Sequence, residues 1–144
     1  MAIPAPHTLQ ATPKNIANAE LRDQSASLTE IVLTRSHLGE NDYSLVMPML
    51  AHLSQQSQTR WFTWIAPKGV TKGLLSRYGF NLEKVRVVYA DTPNDILWLY
   101  WEALANGNSD TVVAEVSSLT DSEFSKLESA CNQGLCRGLT LRFR

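Results

Sequence analysis

Cysteine is nearly absent from this sequence: its 144 residues hold two, Cys131 and Cys136, both within CNQGLC. Without further cysteines or a nearby histidine, that spacing matches no zinc ligand set, and the pair reads as two reduced structural thiols, with a redox couple as the alternative. Long apolar runs are missing too. No window approaches about 18 uncharged apolar residues, so no membrane span is expected. The first 28 residues lack the basic start and apolar block of a secretory leader, which makes the expected location cytoplasmic. A net charge of −1 lacks the basic excess of a nucleic-acid-binding domain. His7, His37 and His52 are scattered, with no metal-ligand spacing to join them. No serine occupies a G-x-S-x-G elbow, and no glycine-rich dinucleotide fingerprint follows a strand signal. Catalytic residues, cofactor and metal are all expected to be absent, and the chain reads as something other than an enzyme.

What is present suits one compact domain: 44% of residues are apolar and 19% charged. Residues 1–27 hold three of the six prolines and little apolar periodicity, so they are expected to form a flexible N-terminal arm, with the domain at 28–144. From there strand and helix patterns alternate. Strand signals fall at Glu30 to Thr34, Trp61 to Ala66, Val85 to Tyr89, Thr111 to Val116 and Leu139 to Phe143, mostly apolar on both faces as buried parallel strands are. The first helix places Val46, Met49, Leu50 and Leu53 on one stripe, with Pro48 in its first turn or kinking it. A short second helix from about Thr71 ends at Gly79. The third opens on TPND, where Thr92 caps, Pro93 takes the first helical position and Asp95 completes a capping box. The fourth opens on TDSE with the same box from Thr120 and Glu123, turns Phe124, Leu127 and Cys131 inward and stops at Gly134. Alternation with short connections implies right-handed crossovers and an α/β fold: an open, mostly parallel sheet with helices on both faces.

The turn TRSHLGENDYSLV, between the first strand and helix, stands where a phosphate loop would lie. Such a loop needs glycines to close backbone amides around phosphates and a lysine to reach them. This one has Gly39 alone, no lysine, and Glu40 and Asp42 where an anion would sit. At about 4 Å and an effective dielectric of about 20, one like-charge pair costs roughly 4 kcal/mol, most of three decades in affinity. No nucleotide is expected there.

Charge is unevenly spread. From Arg60 to Arg86 six bases face one acid, whereas from Asp91 to Glu128 eight acids face one base, Lys126. These are either solvated faces or, on the basic stretch, a recognition surface for an acidic protein. Trp61 and Trp64 are expected to be packed inside. The run ILWLYW is apolar all round its helix, so one of Trp98 or Leu99 is expected at an interface.

Four segments in order, QQSQTRWFTWIAPKGVT, LLSRYGFNLEKVRVV, EALANGNSDTVV and ACNQGLCRGLTLRFR, resemble the SulA family of bacterial cell-division inhibitors over about Leu28 to Arg144. The resemblance implies a RecA-like core lacking a phosphate loop, in line with the reading of the first turn. It also implies an SOS-induced protein that binds the division GTPase FtsZ at its T7-loop end and sequesters its protomers. Partner contact carries over by motif onto Arg60, Ile65, Leu74 and Lys84; at the position of Leu74 the family also uses tryptophan, and core packing is the other reading of Ile65. Arg60 and Lys84 precede adjacent strand signals and are expected along one edge, and Arg60→Ala is expected to weaken binding without moving the thermal midpoint. The family further implies a homodimer and degradation by the Lon protease, although LRFR carries no recognisable degradation tail. The alternatives are a RecA-like binding module acting in DNA repair and a nucleotide-using enzyme with an altered loop.

Overall fold

Five β-branched and aromatic stretches pair, all in parallel, in a single sheet: β1 (Leu28–Leu33), β2 (Trp61–Ile65), β3 (Val85–Val88), β4 (Ser109–Glu115) and β5 (Arg137–Phe143), in the order β1-β5-β4-β2-β3. The structure, a computed structural model, describes residues 26–36 and 42–144. Between the strands run α1 (Met47–Gln56), α2 (Lys72–Arg77), α3 (Ile96–Ala105) and α4 (Asp121–Gly134).

The strand order explains the layers. From β1 through β2 to β3 the chain steps one way across the sheet, and from β3 through β4 to β5 it steps back. Right-handed crossovers travelling in opposite directions put their helices on opposite faces. One core accordingly joins Met47 and Leu50 of α1 and Leu75 of α2 to Phe62, Trp64, Val113 and Leu141. The other joins Tyr100 and Leu104 of α3 and Leu127 and Cys131 of α4 to Ile65, Val112 and Ala114. Alternate strand residues feed alternate cores, the two-residue period of a pleated strand.

Local chemistry sets the helix ends. At α4 the capping box forms in full: the Thr120 amide donates to Glu123 Oε1 at 2.9 Å and the Glu123 amide to Thr120 Oγ1 at 3.1 Å. The TPND box does not form. Aspartate is one methylene shorter than the glutamate the motif requires; Thr92 Oγ1 instead donates to Asp95 Oδ2 at 3.1 Å, Pro93–Asp95 make a 3-10 turn, and α3 begins at Ile96. Pro48 does lie in the first turn of α1, and Val46, Leu50 and Leu53 of the expected stripe are buried, joined by Met47, Ala51 and Ser54, while Met49 faces outward. Gly79 takes the left-handed conformation after α2, with φ of +82°. After α4 that role passes to Leu135, at φ +50°, because Gly134 meets a different demand. A Cβ there would stand 1.8 Å from the Leu104 carbonyl oxygen of α3. The two helices thus touch backbone to backbone at their C-terminal ends.

Cys131 and Cys136 are free and buried. Burial pushes their thiols up to about 11 and about 12, so neither is a nucleophile near neutrality. Among the described residues no group of histidine, cysteine or carboxylate side chains could hold a metal ion, and no helix is long and apolar enough to cross a membrane.

Two outcomes are expected. Gly134→Ala forces α3 and α4 apart and should lower stability by about 3 kcal/mol, read from urea midpoints; an unchanged midpoint would contradict the close approach. Unfolded thiols ionise near pH 9.0, whereas the folded ones keep their protons to about 11 and 12. The unfolded state therefore loses protons first, and stability should be intact below pH 9.0 and fall as the pH rises through 11, read from urea midpoints across that window.

Candidate functional site

The four residues singled out by motif do not form one patch. Arg60 precedes β2 and Lys84 precedes β3, and these strands are neighbours in register from Phe62 and Val85. The Phe62 amide donates to the Lys84 carbonyl at 2.8 Å, so the two cations share the N-terminal edge of the sheet. Ile65 lies at the other end of β2, about 16 Å of strand away. It is 1% exposed and packs under α3 and α4, so its side chain offers no surface to a partner. Leu74 is half-buried in the first turn of α2, where its amide donates to the capping Thr71 hydroxyl at 3.1 Å and its side chain leans on the core beneath.

Arg60 does structural work that the sequence did not disclose. Its Nε donates to Asp110 Oδ1 at 2.7 Å, and Nη1 to the Gly134 carbonyl at 2.9 Å and, more loosely, to Gly107 at 3.4 Å. Nη2 reaches the Leu135 carbonyl at 2.7 Å. These are orphan carbonyls where α3 and α4 end, and a cation there also meets the negative ends of both helix dipoles. These contacts argue against the expectation that Arg60→Ala would leave the thermal midpoint alone: the side chain binds two helix ends to the start of β2.

Other bases lie along α2 and β3, with Lys68 and Lys72 at the opposite, C-terminal end of the sheet. Lys68, Lys72 and Arg77 are exposed on and around α2, and Arg86 is half-buried on the edge strand β3. Trp61, expected inside, is 39% exposed, with the Arg86 guanidinium 5.6 Å from its ring centre. Its place at the first residue of β2 was the available signal, since the first residue of a strand stands at the rim of the sheet.

At the opposite edge, the adjacent strands β2 and β4 send their connections to opposite faces, the position where ligands enter open α/β sheets. Tyr43 fills it. Its ring stands edge-on to Trp64 of β2 at 5.3 Å and to Phe143 of β5 at 5.6 Å, and its hydroxyl donates to Glu115 Oε1 of β4 at 2.8 Å. Burial, then the adjacent carboxylate, push the phenol pKa up, so it remains a neutral donor. Of the first turn's other residues, Gly39 and Glu40 lie outside the described residues, as do His7, His37 and the arm through residue 25. Asp42 accepts the Ser44 amide at 2.9 Å, which lowers its carboxyl pKa and keeps a negative charge at the approach to α1.

Comparison with known proteins agrees with this arrangement. A family model described as "Cell division inhibitor SulA" matches residues 27–138. A curated cell division inhibitor SulA from Pseudomonas aeruginosa is 32% identical over 121 residues, 83% of this chain and 74% of that protein. One from Salmonella arizonae is 29% identical over 133 residues, 91% of this chain and 78% of that one. The crystal structure of SulA from Pseudomonas aeruginosa superposes with a TM-score of 0.72 at 31% identity, over 81% of this chain and 98% of the other. A match over most of its length, in sequence and in fold, places the chain in the SulA family of cell division inhibitors.

Proposed function

We propose that this protein inhibits division by binding FtsZ at the end that docks on the next subunit, sequestering protomers as part of the SOS response. The observation that carries the reading is the basic N-terminal edge and α2 surface on a fold whose ligand crevice is already filled by Tyr43. A surface of that sign attracts carboxylates, and the filled crevice leaves no obvious seat for a nucleotide. The protein would then work by competition for a surface, without catalysis. Lys84 and Leu74 are its direct contacts, the first steering encounter and the second adding apolar area; Arg60 holds the edge in shape and offers its free rim. Ile65, buried under α3 and α4, is left out of the contact. The same reading makes the core RecA-like and the protein a cytoplasmic homodimer turned over by Lon, with residues 1–27 as a flexible arm.

Light scattering of FtsZ assembling with GTP, titrated with this protein, tests the mechanism. Inhibition should be complete near equal molar amounts, whereas poisoning at a small fraction of that ratio would mean filament capping, and undisturbed assembly would remove FtsZ as the partner. Two substitutions separate contact from support. Lys84→Ala should weaken FtsZ binding about fivefold with no change in thermal midpoint. Arg60→Ala should cost about 2 kcal/mol of stability and lower the midpoint by roughly 6 °C, because it strips the helix-end carbonyls of their donors. A midpoint unmoved in Arg60→Ala would refute the clamp.

A further inference from the structure

The face opposite α1 and α2 carries an unfilled groove. Because α3 and α4 meet backbone to backbone at Gly134, the open ground between them lies at their N-terminal ends, where a cleft of about 460 Å³ is lined by Leu97, Trp98 and Trp101 of α3 and Lys126 and Leu127 of α4. Trp98 is 59% exposed and lies stacked on Trp101, ring centres 5.6 Å apart and planes 17° from parallel. Its floor is apolar and its surroundings are acidic. Glu123 lines the groove, Asp95 just before α3, Glu102 on it and Asp121 on α4 are exposed, and Lys126 is the only base among them.

We propose that this groove is a second docking surface, for a cationic amphipathic helix of another protein, with large apolar residues seated on Trp98 and Leu97 and lysines or arginines meeting the acidic surround. A cleft between two splayed helices accepts a helix through anchors spaced three and four residues apart. Charge selects among occupants. A second copy of this chain would press acids against acids in a self-complementary contact. Residues 1–25 offer Lys14 and Arg22 against Glu20 and Asp23, which cancel. An anionic lipid surface would be repelled. This surface lies across the sheet from α1 and α2, and it does not depend on FtsZ being the partner of the basic edge.

The test uses the full chain and two synthetic helices of about 18 residues, both with leucine on one stripe, one with lysine elsewhere and one with glutamate. Tryptophan fluorescence and calorimetry should show the lysine peptide binding at least about tenfold more tightly than the glutamate peptide, and the preference should shrink as salt rises from about 0.05 to about 0.5 M. Trp98→Ala should weaken the lysine peptide by about tenfold while leaving the thermal midpoint unchanged, and Glu102→Lys should weaken it without touching the apolar floor. Equal binding of the two peptides, or undiminished binding to Trp98→Ala, would overturn the proposal. So would a dimer in sedimentation that Trp98→Ala dissolves, because the groove would then belong to a second copy.

Discussion

One guanidinium holds together the half of the molecule that local propensity leaves loose. The last carbonyls of a helix have no partner within it, and here α3 and α4 both end beside the start of β2, where Arg60 supplies donors to Gly107, Gly134 and Leu135 and pairs with Asp110. Lysine could not replace it. An ammonium is a point charge, whereas the planar fork of arginine presents several donors at fixed angles and so can satisfy carbonyls from two helices at once. With Gly134 permitting backbone contact at the same place, the helix pair is pinned at one end. The groove at its other end is the geometric consequence.

At the opposite edge of the sheet a second constraint governs what the fold can do. Parallel α/β sheets gather ligands where crossover directions diverge, because two strands end there with no helix between them. In this protein that opening holds Tyr43, tied to Glu115 and wedged against Trp64 and Phe143. A buried aromatic ring with a satisfied hydroxyl is costly to displace. The position that takes ligands in other open sheets is here occupied by a side chain of the protein itself.

Much of this was legible in the sequence, and the failures have a common cause. All five strands and four helices announce themselves by period and composition, and the α4 box forms because Thr120 and Glu123 have the required lengths. Asp95 looks equivalent in a pattern but is too short in space. Strand order was invisible, since parallel pairing is decided by contacts far apart in sequence. Arg60 was read as a surface cation for the same reason: its partners lie some 47 to 75 residues away, and nothing beside it in the chain reveals them. Trp61 was assigned to the core from its strand, although a first strand residue extends beyond the helices that would cover it. Exposure of Trp98 was foreseeable, because a helix apolar on every side cannot bury all of them in a two-layer packing.

The small net charge conceals a strong separation. Bases gather on α2 and the β2 to β3 edge, and acids on α3, α4 and their approaches. The Debye length at physiological ionic strength is about 8 Å, so charges further apart than that act on a partner separately. The division is not one face against the other: Arg60 bonds the carbonyls where α4 ends, and Arg86 donates to Thr63 on the same side of the sheet. On the proposed reading, an acidic partner would meet the basic edge and a basic one the groove between α3 and α4. Net charge near zero would suggest a surface indifferent to both. The uneven placement of the charges is what would give the two proposed surfaces opposite preferences.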